Sequence, residues 1–405
     1  MGIKISGVGC SLLDMIYSDI DFRSRAFRRL SSKKPGDGGL IPGGLVIVED
    51  LERFANTDLE TIVKTITGKS NPESMNLGGP AIAALVNTAQ LGFDREIEIH
   101  FFAVRGNDAI GRHIAGFLAK TTVNIDHYLV TDGISPATTV LCDPAYDSGV
   151  GERLFINTIG VASRYGIEDL GHDFFDADLL FFGGTAMVPE IHAHLDILLS
   201  RSKASGCLNV VSTVYDFRSE KRNPGTPWPL VAADAAYAHI DLLIMNSLEA
   251  CKISGETEPA NAVHYFVDQG VATILVTQGP DPVLIFSDGS LFEATELIVL
   301  PVSERLSGEL LFGDHPKGDT AGCGDNFAGG VLADLAIQLQ SKGVGHLDLY
   351  QACAWGICSG GLAGFYAGGV YAESRTGEKY RRLKSFVDQY WRQIDDLTSK
   401  RNYRP

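Results

Sequence analysis

Positive charge is what this 405-residue chain is short of: 34 Lys and Arg stand against 50 Asp and Glu, for a net charge of −16. That balance argues against nucleic acid or an anionic membrane as the main partner, while leaving room for local capture of an anionic nucleotide by backbone amides and metal ions. The seven cysteines, at 10, 142, 207, 251, 323, 353 and 358, contain no Cys-x-x-Cys pair, so zinc and redox motifs lack support and reduced thiols are expected. There is no secretory core and no run of about 18 apolar residues, so the expectation is a cytoplasmic protein without a membrane span. Two nucleotide fingerprints are missing as well. Gly68-Lys69-Ser70 looks like the end of a P-loop, but Val63 stands where its first glycine belongs, and no Gly-x-Gly-x-x-Gly occurs.

Glycine, by contrast, is abundant, with 45 residues, and one glycine-punctuated string organises the rest: Lys317-Gly318-Asp319-Thr320-Ala321-Gly322-Cys323-Gly324-Asp325-Asn326-Phe327. Phe327, Val331, Leu335 and Leu339 recur behind it at helical spacing, which predicts a turn feeding a helix. The amides of Gly322, Cys323 and Gly324 would lie unpaired at the helix start, a ready anion site. Asp325 then needs a reason. A carboxylate beside an anion cradle repels the anion unless it takes a proton, the task of a general base; spacing alone reads equally well as an acidic residue favouring a helix N-terminus.

Apolar segments at Ile3 to Val8, Leu179 to Phe182, Leu208 to Ser212, Leu242 to Met245 and Thr273 to Thr277 read as strands. Helical stretches between them, such as Pro189 to Ser202, imply a parallel sheet covered on both faces. In such sheets ligands bind beyond the carboxyl ends of strands, where Asp14, Asn246, Thr277 and Asp325 would gather. Leu45 to Val48, and a hairpin of Thr138 to Asp143 with Gly151 to Ile156, read as further strands, and Asp58 to Thr67 as a helix. Asn246 and Glu249, three residues apart where a strand meets a helix, suit either a helix cap or a hydrated Mg²⁺. His192 and His194 lack a third ligand and read as ordinary residues of a surface helix. The basic tail from Gly377, with Lys379, Arg381, Arg382 and Lys384, reads as a surface helix.

The central string resembles the Asp-Thr-x-Gly-Ala-Gly-Asp signature of the PfkB, or ribokinase-like, carbohydrate kinases, with Cys323 at the usual Ala. Asn76 to Gly92 resembles the family's first signature, although its Asn is Ala83 here, and either Asn76 or Asn87 is expected to replace it. Asn246 to Glu249 resembles its Asn-x-x-Glu motif, and Thr277-Gln278-Gly279 its Thr-x-Gly turn. The resemblance, over about residues 3 to 375, implies one three-layer α/β/α domain spanning 1–405, with a mainly parallel sheet and a small β lid from segments near 18–75 and 130–160. It implies transfer of the γ-phosphoryl group of ATP to a hydroxyl of a sugar or sugar-like substrate, with Asp325 as base and the amides of Gly322, Cys323 and Gly324 around the transferred group. Asn246, Thr277 and Gly279 would meet the nucleotide, with Mg²⁺ near Asn246 and Glu249 largely through water. Asp319 and Thr320 would frame a monovalent cation such as K⁺. Asp14, Asn76, Gly78, Gly79 and Asn87 would hold the acceptor, and Arg153 aligns with an Arg near the transferred phosphate or is a solvated hairpin residue. The long early lid and Thr277-Gln278-Gly279 favour a nucleoside as the rival acceptor, with Phe54 or Phe155 stacking on the base. Loss of the Asn at Ala83 motivates a third reading, a binding protein without turnover. Dimerisation through the lid strands is a further implication of the resemblance.

Overall fold

The protein is described from a computed structural model, which covers residues 2–34, 36–149, 151–313 and 321–399. Its strands are β1 (Ile3–Gly9), β2 (Leu12–Tyr17), β3 (Leu45–Ile47), β4 (Ser74–Gly78), β5 (Ile97–Gly106), β6 (Tyr128–Thr131), β7 (Ala137–Asp143), β8 (Glu152–Thr158), β9 (Leu179–Gly183), β10 (Leu208–Ser212), β11 (Leu242–Asn246), β12 (Thr273–Gln278), β13 (Asp281–Ser287) and β14 (Thr295–Leu300). Nine form one sheet in the order β14-β13-β12-β11-β10-β9-β1-β5-β6. It is parallel from β6 through β12 and closes on the antiparallel pair β13 and β14.

The apolar runs explain this sheet. Neighbouring residues of each central strand point to opposite faces, and both faces are dry. Phe181, Ile244 and Leu275 pack into one core with the helices Pro80–Leu91, Cys323–Ser341, Leu349–Ala363 and Glu378–Ser399. Phe182, Leu243 and Val276 pack into another with the helices Leu195–Ala204, Ser247–Ser254 and Pro259–Asp268. The result is a three-layer α/β/α sandwich. Among the described residues no helix is long and apolar enough to cross a membrane.

The remaining strands form a second sheet in the order β3-β8-β7-β2-β4. Tyr17, Val46, Leu141, Leu154 and Ile156 on one face pack against the helices Arg25–Leu30, Val48–Ala55 and Leu59–Thr67. The opposite face carries Asp14, whose register neighbours are Asn76 on β4 and Thr138 on β7, with Asn157 of β8 beyond Thr138. Because β2 begins at Leu12, this sheet starts earlier than the expected boundary at 18.

Three local expectations need correction. The Pro189 to Ser202 stretch forms two helices, Pro189–Ala193 and Leu195–Ala204, broken at His194 with φ −121°. His192 is not a free surface residue: its Nδ1 pairs with Thr185 Oγ1 at 2.8 Å and its Nε2 with the Pro229 carbonyl at 2.9 Å, and burial lowers its pKa. The tail helix Glu378–Ser399 belongs to the core, because Leu383, Phe386, Val387, Tyr390 and Ile394 share one helical face and are buried. Each such side chain contributes about 1.5–3 kcal/mol of burial. Arg381, Arg382 and Lys384 face outward, but Lys379 is wholly buried.

The Cys323 and Pro80 helices touch backbone to backbone. A β-carbon placed on Gly329 would lie 2.4 Å from the Ala84 carbonyl oxygen. Gly329→Ala therefore sets a helix-propensity gain of about 1 kcal/mol against an overpacking cost of about 1–3 kcal/mol or more with no flexible neighbour to yield. The clash is expected to win, and urea denaturation should show a net loss of roughly 1–2 kcal/mol.

Candidate active site

The Cys323 helix receives no cap from its N-cap residue, which is a glycine. Its N-cap residue, Gly322, has φ +74°, and a β-carbon there would lie 2.5 Å from Gly369 Cα, so both conformation and space demand glycine. Gly324 is exposed, and a β-carbon on it would meet nothing within 4 Å. The first turn thus has an exposed glycine with the positive end of a 19-residue helix behind it. Rigidity comes from Asn326, a buried residue that sequence reasoning missed. Its Nδ2 donates to the Gly322 and Gly369 carbonyls, both at 2.8 Å. Only its place beside Asp325 hinted at a role.

Asp325 is the third residue of this helix. Its side chain keeps some contact with solvent but is densely surrounded by protein, and burial, reinforced by the negative charge of Glu249, pushes its pKa up to about 7. Glu249 is buried and its own pKa is raised, by burial first. The Glu249 carboxylate accepts from Thr213 Oγ1 at 2.6 Å, from the Asn246 backbone N–H at 3.2 Å and from Asn246 Nδ2 at 2.7 Å, and the Glu249 N–H returns a bond to Asn246 Oδ1 at 2.8 Å. The helix cap expected as one option is therefore fully formed. It does not remove the charge, and two carboxylates with raised pKa values around one crevice are a donor set that a divalent cation would relieve. Because the oxygens already hold protein donors, they suit a cation that keeps its own waters.

Asn246 is exposed at the carboxyl end of β11 and registers with Thr277 at the end of β12. Gly279 follows in an open turn, with free space where a side chain would sit. Asn246, Thr277 and Gly279 thus lie together beyond two adjacent parallel strands, on the side of Glu249. Asp319 and Thr320 lie outside the described residues.

The other wall is the second sheet. Asp14 does not sit in a turn after β1; the chain turns at Cys10 and Ser11 and re-enters a strand, so Asp14 lies within β2. Gly78 makes room for it, since a β-carbon there would lie 2.2 Å from Asp14 Oδ2. Gly79, φ +108°, is the N-cap of the Pro80 helix. Asn76 stands beside Asp14 with its Nδ2 buried and unpartnered. In the same row Asn157, also buried, has an unpartnered Oδ1. Sequence reasoning overlooked Asn157, although strand alternation with Leu154 and Ile156 gives its face. Asn87 is buried between helices and gives its Nδ2 to the Asn326 carbonyl at 2.7 Å, while its Oδ1 is buried without a partner. Arg153 shares Asp14's face, but it registers with Cys142, four residues from Thr138 and so about 13 Å along the strand. The two walls meet through the Gly368-Gly369 backbone. A β-carbon on Gly368 would lie 2.9 Å from Asn76 Nδ2, and Gly369 abuts both Gly322 and Ala83.

Residues 55–362 match the family profile described as pfkB family carbohydrate kinase. A fructokinase from Vibrio alginolyticus is 26% identical over 273 residues, covering 67% of this chain and 81% of that protein. Among solved structures, a putative ribokinase II from E. coli in complex with ATP and Mg²⁺ superposes with a TM-score of 0.63 at 16% identity, covering 96% of this chain and 99% of that one. An adenosine kinase from Schistosoma mansoni in complex with 2-fluoroadenosine gives 0.65 at 16%, covering 91% and 97%.

The raised pKa of Asp325 has a consequence for stability. A carboxyl at about 7 in the folded protein, against about 3.9 unfolded, means that the folded state binds more protons between those values, so stability falls as pH rises through them. Asp325→Asn removes that penalty. Chemical denaturation should find the variant more stable than wild type by about 1–3 kcal/mol at pH 8, the ceiling being reduced for partial solvent contact, with the difference vanishing near pH 4.

Proposed function

The chain belongs to the pfkB family of carbohydrate kinases, and from that premise we propose that it transfers the terminal phosphoryl group of ATP to a sugar hydroxyl held between Asp14 and Asp325. The observation that carries this reading is the pairing of a helix N-terminus that starts on Gly322 and an exposed Gly324 with a carboxyl whose pKa is pushed up to about 7. The first attracts an anion. The second can take a proton near neutral pH.

In this reading the nucleotide phosphates lie along Asn246, Thr277 and Gly279, and Asn246 and Glu249 would hold a hydrated Mg²⁺. When bound, Mg²⁺ offsets phosphate charge. Asp14 and the amides of Asn76 and Asn157 hold acceptor hydroxyls, which supply the partners that Asn76 Nδ2 and Asn157 Oδ1 lack. Asp325 withdraws the proton from the attacking hydroxyl as the oxygen–phosphorus bond forms and the bond to ADP breaks. The amides of Gly322, Cys323 and Gly324 meet the charge on the phosphoryl oxygens. A nucleoside acceptor is the second reading, favoured by Phe155, half-buried two residues from Asn157 on the same face.

ADP release with Mg-ATP over a panel of sugars and nucleosides tests the function and chooses between acceptors. Turnover on one class, falling about 10²–10⁴-fold in Asp325→Asn, is expected; activity that survives the substitution removes Asp325 as base. For wild type, kcat/KM should rise with pH up to about 7, as the carboxyl loses its proton.

The acceptor row has its own test. Asn157→Ala should raise KM for the acceptor about 5- to 30-fold, the equivalent of one lost hydrogen bond, and leave KM for ATP within about twofold. Equal effects on both would place Asn157 outside the acceptor site.

A further inference from the structure

The tail helix Glu378–Ser399 buries an apolar stripe, yet its second residue is a lysine with no exposed surface. Burying an ammonium costs several kcal/mol, and a methionine of similar length would fill the space without that penalty. Lys379 Nζ donates to Asn326 Oδ1 at 2.6 Å and to Tyr366 Oη at 3.2 Å, and lies 5.5 and 5.8 Å from the ring centres of Tyr366 and Tyr371. Tyr366 Oη also reaches Asn326 Oδ1, at 3.0 Å. The Asn326 amide is therefore fully used: two donors converge on its oxygen, and its nitrogen serves the Gly322 and Gly369 carbonyls.

We propose that Lys379 is a positioning residue for phosphoryl transfer, acting through Asn326 to hold the Gly322 turn and the Gly368-Gly369 backbone as one unit. The inference rests on the proposed role of that turn at the transferred phosphoryl group. Gly322 sets the direction of the first amides of the Cys323 helix, and Gly368 abuts Asn76 on the acceptor wall. One buried cation thus references both halves of the crevice to the tail helix. Its charge supports an array that must stay open to an anion, without entering the crevice.

Burial pulls the Lys379 pKa down to about 7, opposed by Glu373. The ionisable groups around it are Tyr366, Tyr371 and Glu373 on the preceding loop, Glu378 and Arg382 on its own helix, and Asp325 next to Asn326. The ammonium is lost as pH rises through the folded pKa, so kcat should carry a descending alkaline limb in addition to the ascending limb from Asp325.

The experiment is kcat and KM against pH for wild type, Lys379→Met and Asn326→Asp, with folding checked by circular dichroism. In Lys379→Met, kcat should fall about 10- to 100-fold, as expected for small misplacement of catalytic groups, with KM for ATP within about twofold and the alkaline limb gone. Asn326→Asp places a carboxylate against the ammonium and should move the limb to higher pH. It also carries the test if Lys379→Met fails to fold. A limb unmoved in the folded variants, or wild-type kcat in Lys379→Met, overturns the inference. That outcome, with turnover still lost in Asp325→Asn, would leave the kinase reading standing, whereas turnover surviving Asp325→Asn would overturn the kinase reading itself.

Discussion

A helix that starts on a glycine has no N-cap side chain to hold its first turn, so its rigidity has to come from elsewhere. In this chain that support is the Asn326 amide, bonded to the carbonyls of Gly322 and Gly369 within one dry cluster. Much of the surrounding composition follows from it. Gly322 has no room for a β-carbon, Gly369 comes close enough that a β-carbon on it would lie 3.4 Å from the Ala83 methyl, and Gly329 rests on the Ala84 carbonyl. The small residues of the Pro80 and Cys323 helices are thus what brings the helix start to the centre of the molecule. A larger residue at Ala83 would push the Gly369 backbone away and take the support of the turn with it.

Electrostatics at the crevice costs stability, and the cost is tied to the chemistry. Asp325 and Glu249 are both shifted toward their protonated forms by burial, and Glu249 raises Asp325 further. A solvated pair would lie near 4 and would be poor at accepting a proton at neutral pH. The sheet behind them, apolar on both faces, is large enough to carry the penalty. Glu249 shows why the choice between helix cap and functional carboxylate was not exclusive. The bonds that fix it as a cap to Asn246 also hold its charge at a set place beneath the crevice.

How much of this was legible in the sequence depends on the range of the interaction. Central strands, the helix after Gly322 and the cap at Asn246 are set by neighbours within a few residues, and periodicity reads them. Asn87 and Asn76 looked equivalent because helical spacing says which side a residue faces, but not whether that side meets a crevice or another helix; Asn87 meets the Asn326 backbone. Lys379 was misplaced for a related reason. Its neighbours Arg381, Arg382 and Lys384 are solvated, and only the tertiary contact with Asn326 separates it from them. Asn157 needed the register of β8 on β7, which a single strand does not carry. Asp14 was expected beyond the carboxyl end of the first strand, but after Cys10 and Ser11 the chain enters a second sheet and Asp14 lies within its strand β2.

That second sheet is joined to the first in a way that explains where the proposed acceptor residues lie. β2 follows β1 of the large sheet after two intervening residues, β4 ends at Gly78 just before the Pro80 helix, β7 starts at Ala137 and β8 ends at Thr158. Leu12 registers with Gly78, Leu13 with Ala137, and Ala137 with Thr158, so all four connections fall on one line across the same end of the sheet. Asp14, Asn76, Thr138 and Asn157 form the row beside that line. Rotation of the small sheet about it would displace this row little, and would displace Arg153, about 13 Å further out, far more. The proposed acceptor row therefore sits where the small sheet is tied to the large one, and Arg153 sits at its far edge.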